Sequence, residues 1–426
     1  MEITVMTQDT RGGVEPYAAL ALALIEAGHS VRAVAPAEYT WLFERVGVRC
    51  LRLEGMPWEA SQEVALEAQG GRHGGLRSAA KAIEQRVPDW ARQARLFAEG
   101  SDILTGGVGG SVLGVPVAAA MGVPWVPAHL QPVGAINAQY PGALMTGIPR
   151  AAGAAGNLLG QLLTEAAIRL PFQGAQRAAR RALGGAPRRA LGGAPRVAQR
   201  SPRSQRSPGS VYGISPSVVH LPRNGRRDRI VTGYWFDRTD SAVLPPEVED
   251  FVASSGSKPL VSIGFGSMVA ADPDGLRELL VEAARAAGAR VVLIAGAGAV
   301  AEQRHQDEPD VLTVASIPHR ALFPRMDANV HHGGAGTTAN AFAAGVPTII
   351  VPFGADQPFW ARRATDLGVA PPPIPIARLT RERLAETLHL ALTDPTMRSR
   401  SAELGDRIRS EDGTRTAAQW YSSIGA

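Results

Sequence analysis

ANVHHGGAGTTAN, residues 328–340, carries an apolar run into a glycine corner and then into a helix. Gly333, Gly334 and Gly336 have no Cβ, so the backbone can turn tightly there and a ligand can approach it closely. Thr337 and Thr338 open the helix. The first turn of a helix offers unpaired N–H groups and the positive end of the helix dipole, which suit phosphate. His332, at the end of the apolar run, is placed to donate to the same oxygens. His331 reads instead as a packed strand residue. Strand, glycine turn and helix in this order belong to an open parallel α/β sheet.

The same rhythm runs outward in both directions. LVSIGFG (260–266), VVLIAG (291–296), VLTVAS (311–316) and TIIVPF (348–353) are further apolar strands. Asp272-Pro273 reads as the N-cap and first turn of an intervening helix. In the first half, ITVMT (3–7), VRAVA (31–35), VRCLRL (48–53), ILTGG (103–107) and WVPAHL (125–130) are strands. A helix over 15–27 follows the first of them, with Gly28 closing it. The pattern predicts two doubly wound parallel-sheet domains. Proline and polar residues at 236–246 separate them, giving domains at 1–235 and 236–405. From about Asp406 the chain reads as one amphipathic helix that crosses back to the first domain. Residues 174–210 are different: ALGGAPR occurs twice, RSPRSQRSPGS follows, and the stretch reads as a mobile surface loop.

HHGGAGTT, followed about twenty residues later by Asp356-Gln357, resembles the nucleotide-sugar signature of the family 1 glycosyltransferases. The resemblance extends to SIPHRALFPRMD (316–327), IGFGSM (263–268), VTGYWF (231–236) and TRGGVEPYAALALALIEAGHSV (10–31), so it covers most of the chain outside 174–210. It implies the GT-B fold: two Rossmann-like domains facing a central cleft. It also implies residue roles. His332, Gly334, Gly336, Thr337 and Ser267 would hold the diphosphate. Ile317 would meet the pyrimidine through its backbone. Asp356 and Gln357 would bind sugar hydroxyls, though Asp356 also fits a plain N-cap. Enzymes of this fold work without metal, so the expected requirement is a dTDP- or UDP-sugar co-substrate and no further cofactor.

Transfer to a hydroxyl needs a base. In bacterial and sterol-type members of the family the loop after the first strand reads like S-R-G-D-V-Q-P, and its aspartate is the implied base. Here it reads Thr10-Arg11-Gly12-Gly13-Val14-Glu15-Pro16, with Gly13 where that aspartate belongs. Asp9 and Glu15 are the remaining carboxylates of the segment and the candidate bases. Asp9 is preferred, because residues just past a strand's carboxyl end face the cleft. Glu15 fits the first turn of the helix. Gly12, Trp58, His129, Gln131 and Tyr140 lie in loops suited to an apolar acceptor.

Composition limits the alternatives. With 426 residues, 45% apolar and 19% charged, the chain has enough core for two or three domains. Cys50 is the sole cysteine, so no internal disulfide forms and a cytoplasmic setting is expected. The apolar stretch 111–130 is broken by Pro116, Pro124 and Pro127, which argues against a spanning helix. Ten arginines and no acids lie between Arg169 and Gly209; without them a net charge of +5 becomes −5. The basic character is local and does not predict a nucleic-acid partner. His319, His331 and His332 lack the cysteine or acidic neighbours of a zinc site. The expected activity is therefore inverting transfer of a sugar, a deoxysugar by the antibiotic-type resemblance, to a hydroxyl of a hydrophobic natural product. UDP-glucose transfer to a sterol or lipid, and a non-catalytic auxiliary role, are the alternatives. Acceptor, sugar, O- or C-transfer and oligomeric state stay open.

Overall fold

The computed structural model describes residues 1–55, 75–134, 136–145, 152–184, 207–221, 229–237, 243–254, 256–296, 298, 300 and 308–425. Strands β1 (Glu2–Met6), β2 (Ser30–Pro36), β3 (Arg49–Leu53), β4 (Ile103–Gly106), β5 (Trp125–His129), β6 (Ser210–Tyr212) and β7 (Arg229–Val231) form one sheet, ordered β3-β2-β1-β4-β5-β6-β7. Strands β8 (Leu260–Gly264), β9 (Arg290–Ile294), β10 (Val311–Val314), β11 (Ala328–His331) and β12 (Thr348–Ile350) form a second, ordered β10-β9-β8-β11-β12. Every strand pairing in both sheets is parallel.

The helices between them are α1 (Arg11–Glu26), α2 (Trp41–Glu44), α3 (Gly75–Phe97), α4 (Val108–Met121), α5 (Gly153–Arg169), α6 (Gln173–Ala182), α7 (Pro246–Ala253), α8 (Pro273–Ala286), α9 (His319–Leu322), α10 (Ala335–Ala344) and α11 (Gln357–Leu367). Then come α12 (Arg381–Thr393), α13 (Pro395–Ser410) and α14 (Gly413–Ile424). Local chemistry sets their limits. Asp272 accepts from the Gly275 amide at 2.9 Å and starts α8, a cap that contributes about 1 kcal/mol. Gly28, at φ 85°, lets the amides of Gly28 and His29 return to the carbonyls of Ile25 and Leu24 at the end of α1. The central strands are apolar along their length because helices cover both faces; all five residues of β9 are buried.

The order of each sheet reverses beside its first strand, between β1 and β4 and between β8 and β11. At such a reversal the following helices leave on opposite faces, opening a crevice at the strands' carboxyl ends. α1 packs against α10, which brings the two crevices together. A core shared by both halves joins Tyr212, Ile214 and Val218 to Phe359, Trp360, Leu404 and Ile408.

Two expectations need correction. Residues 174–210 do not begin as a loop, because α6 occupies Gln173–Ala182. Ala175, Ala178 and Ala179 recur at helical spacing and are buried with Val87, Trp90 and Ala91 of α3. Alanines flanked by arginines give a weak apolar signal in sequence, yet a close helix pair needs small residues. Ser210 already belongs to β6, and 185–206 lie outside the described residues. The carboxyl end is not one helix from Asp406. It breaks after Ser410, and Asp412 restarts it by accepting from the Arg415 amide at 3.4 Å. α14 then returns to the first sheet, where Ala417, Ala418 and Tyr421 join the core containing Leu20 and Leu24.

Tyr421 is fully buried, and its hydroxyl lies 2.5 Å from the Thr105 hydroxyl. Tyr421→Ala should destabilise the fold by about 3–5 kcal/mol, as expected for emptying a large aromatic site. Denaturant unfolding measures this; an unchanged midpoint would mean that α14 does not belong to the first domain's core.

Candidate functional site

The turn after β11 is built from its two histidines. His331 is buried, and its Nδ1 accepts from the Gly333 amide at 3.0 Å. The ring proton is therefore on Nε2, which donates to the Thr348 hydroxyl at 2.8 Å. His331 thus pins the glycine turn to β12, as a packed strand residue would. His332 faces the other way. Its ring lies between Gly266, at φ 60°, and Gly334; a Cβ at Gly266 would stand 3.0 Å from His332 Cε1, and one at Gly334 would strike Nε2. His332 Nδ1 is buried without a hydrogen-bond partner. Burial lowers the pKa of the ring from an ordinary 6.5 to about 4, so it is neutral at pH 7 and holds one N–H.

Gly334 precedes α10 with no side chain capping the helix, and the first turn has no acidic residue. The amides of Ala335, Gly336 and Thr337 have no partner within the helix. Thr337 is half-buried beside them, and the buried Thr338 hydroxyl has no partner. Ser267 stands half-buried in the loop after β8, next to Gly266. The Ile317 side chain is packed with Val314, Leu322 and Phe323, which leaves its backbone as the part able to face a ligand. His319 stacks on Phe323 with ring centres 4.4 Å apart.

The loop after β12 holds Asp356 and Gln357. Ala355, at φ 53°, is the non-glycine residue with positive φ among the described residues. That conformation costs about 1–2 kcal/mol for a residue with a Cβ. Asp356 stands at the N-cap position of α11, but its side chain caps no amide of that helix. It accepts from Trp360 Nε1 at 3.0 Å and is also hydrogen-bonded by Gln131 of the other domain. Burial raises the pKa of this carboxyl, and those two donors oppose the rise. Gln357 is buried, and its Oε1 accepts from the amides of Phe353 and Gly354 at 2.7 and 3.1 Å. Its carbonyl holds the loop, leaving the NH₂ end, 3.4 Å from the Met268 sulfur, as the group available to donate.

The first domain supplies the opposite wall. Asp9 follows β1 and accepts from the Thr7 hydroxyl at 3.0 Å. Its carboxyl pKa is raised by burial, and also by the charge of Asp356 across the cleft. Gly12 lies in the first turn of α1, and a Cβ on Gly336 would meet its carbonyl oxygen at 2.5 Å. Glu15 is not in the first turn of α1; it lies 3.7 Å from Arg11 along the helix surface. His129 ends β5 against Tyr212, with ring centres 5.2 Å apart, a buried unpartnered Nδ1 and a pKa lowered by burial to about 4. The Tyr140 hydroxyl accepts from the His220 amide at 3.1 Å, and Arg363 lies over its ring, so it anchors the loop. Trp58 lies outside the described residues. Sequence reading missed Trp360, although its i+4 spacing from Asp356 marks it as a neighbour. It also missed Gly109, whose closeness to Asp9 no local pattern carries. Among the described residues no three histidines, cysteines or acids gather as a metal site would require. No described helix is long and apolar enough to cross a membrane.

Residues 268–419 match the family model described as the C-terminal domain of erythromycin biosynthesis protein CIII-like proteins. Sterol 3-beta-glucosyltransferase of Neurospora crassa is 31% identical over 436 residues, covering 98% of this chain and 27% of that protein. The enzyme of the same description from Pichia angusta is also 31% identical, over 98% of this chain and 33% of that protein. The chain thus spans about a third or less of these curated relatives. Among solved structures, the kitacinnamycin glycotransferase matches with TM-score 0.66 at 17% identity, covering 99% of this chain and 98% of that one. The Streptomyces sp. SF2575 glycosyltransferase SsfS6, solved with thymidine diphosphate, matches with TM-score 0.62 at 18% identity, covering 99% of each chain. The chain has the GT-B fold.

Followed by NMR, the imidazoles of His129, His319 and His332 should titrate near pH 4, not near 6.5. The unfolded chain takes up these protons near 6.5, so their contribution to stability is complete above about 6.5. It is lost as the pH falls toward 4. A ring titrating near 6.5 would contradict the burial assigned to it.

Proposed function

We propose that this chain, whose residues 268–419 match the erythromycin CIII-like C-terminal domain, transfers a sugar from a nucleoside diphosphate to a hydroxyl of an apolar acceptor, with inversion. The turn after β11 carries the reading. It joins the uncapped start of α10 to a neutral, buried imidazole with an unpartnered nitrogen, between two glycines where a side chain would crowd the ring. Such a cradle suits two linked phosphoryl groups. As the bond from the anomeric carbon to the phosphate oxygen breaks, charge grows on the diphosphate. The fixed amides and the His332 N–H stabilise it most in the transition state. Ser267 and Thr337 add hydroxyl donors. The Ile317 backbone meets the pyrimidine, and Asp356 with the Gln357 NH₂ group takes the sugar hydroxyls. The acceptor enters from the first domain, where Gly12, His129 and Gln131 border the crevice, and its oxygen attacks in line from the side opposite the diphosphate.

Two acceptor classes have separate support. A deoxysugar donor and a natural-product acceptor agree with the family of the second domain and with the antibiotic-type fold neighbours. Glucose transfer to a sterol-like hydroxyl agrees with the 31% identity that spans nearly the whole chain.

A panel crossing UDP-glucose and dTDP-deoxysugars with sterols and aromatic polyketides tests the proposal and separates the two classes. Nucleoside diphosphate should be released only when an acceptor is present. His332→Ala should lower kcat by about 10²–10³. Release of an altered sugar without acceptor, or full turnover in His332→Ala, would contradict the proposal. Nucleotide-sugar binding with no turnover would point to the auxiliary role.

A further inference from the structure

The helix α1 contains a glycine that its backbone does not require. Gly13 lies within α1 and is not among the residues with positive φ. A glycine inside a helix destabilises it relative to alanine, so its presence asks for a steric reason. The reason is Asp9. A Cβ on residue 13 would stand 2.6 Å from the Asp9 Cβ and 3.2 Å from its Cγ. Gly109, at the start of α4, repeats the situation: a Cβ there would stand 2.8 Å from Asp9 Oδ1 and 3.1 Å from Oδ2. Gly109 also has no positive φ. The Asp9 carboxyl therefore lies in a notch walled by two glycines, one from the helix after β1 and one from the helix after β4. This is the switch point of the first sheet. Asp9 also fills the volume that any side chain on residue 13 would need.

We propose that Asp9 is the base of the transfer reaction, moved four residues upstream into the space of a side chain at position 13, and that Gly13 and Gly109 are the notch that admits it. The inference rests on the reading of the chain as a transferase. Asp9 Oδ takes the acceptor hydroxyl proton while the acceptor oxygen bonds to the anomeric carbon. The bond from that carbon to the phosphate oxygen breaks, and the diphosphate leaves with the electron pair. Asp9 then returns the proton to solvent. Thr7, donating to Oδ2 at 3.0 Å, fixes the carboxyl and leaves the other oxygen for the acceptor. Glu15 lacks this placement, lying half-exposed beside Arg11 on the outer side of α1.

The test compares wild type, Asp9→Asn, Glu15→Gln, Gly13→Asp, and the exchange Asp9→Gly with Gly13→Asp. Asp9→Asn should lower kcat by roughly 10²–10⁴. Its melting temperature should still rise on adding nucleoside diphosphate. The exchange should recover turnover to within about tenfold of wild type. Thermal melting gives a readout independent of activity: Gly13→Ala should lower the melting temperature in wild type and not in Asp9→Gly. Wild-type turnover in Asp9→Asn, loss confined to Glu15→Gln, an exchange as inactive as Asp9→Asn, or equal effects of Gly13→Ala in both backgrounds would each overturn the inference. Failure of the transferase reading has a different signature, because wild type itself then transfers no sugar while the melting comparison still reports on the notch.

Discussion

Unpaired amides at the start of α10 set the terms for the second domain. They need an acceptor, and neither a capping side chain nor a nearby acid supplies one. A helix N-terminus alone attracts an anion by only about 0.3–1 kcal/mol when exposed, and up to about 2 when partly buried. The rest of the turn raises that figure. His331 locks the corner to β12, and His332 is held neutral by burial with one N–H to give. The glycines on either side keep the backbone close to whatever the amides bind. These groups converge because β11 lies beside β8 at the reversal of strand order, so the loops after both strands border one crevice.

The first domain meets this site through backbone more than through side chains. Pro16 lies within α1 and has no N–H, so the Gly12 carbonyl, one turn earlier, loses its usual helical donor. That carbonyl is the atom against which Gly336 of α10 packs. A carbonyl from one helix thus faces the start of another, and residue 336 must be glycine to allow that approach. Gln131 makes the second bridge, by hydrogen-bonding Asp356. The shared core around Trp360 and Tyr212, and the return of α14 to α1, hold the two crevices opposite each other.

Much of this was legible in sequence because the signals are local. Apolar runs gave the central strands, the Asp272-Pro273 pair marked the start of α8, and the HHGGAGTT corner marked a strand end, a glycine turn and a helix start. The short strands β6 and β7, at one end of the first sheet, were not read, because three residues carry no period. The helix α6 was hidden by arginines around small alanines, and the break at Glu411 separates two helices of similar character. Gln357 was read as a sugar ligand, and the sequence did not show that the oxygen of its amide holds the backbone of its own loop. The space around Asp9 could not be read at all. It depends on Gly109, a hundred residues away, and only the folded sheet brings the two together.

The central claim is that the corner after β11 cradles two phosphoryl groups. A crystal structure of the protein with a bound nucleoside diphosphate tests it most directly. The phosphates should lie over the first turn of α10, with an imidazole nitrogen of His332 in hydrogen-bond contact with a phosphate oxygen. Phosphates bound elsewhere, with His332 Nδ1 and the first-turn amides still unpartnered, would contradict the account.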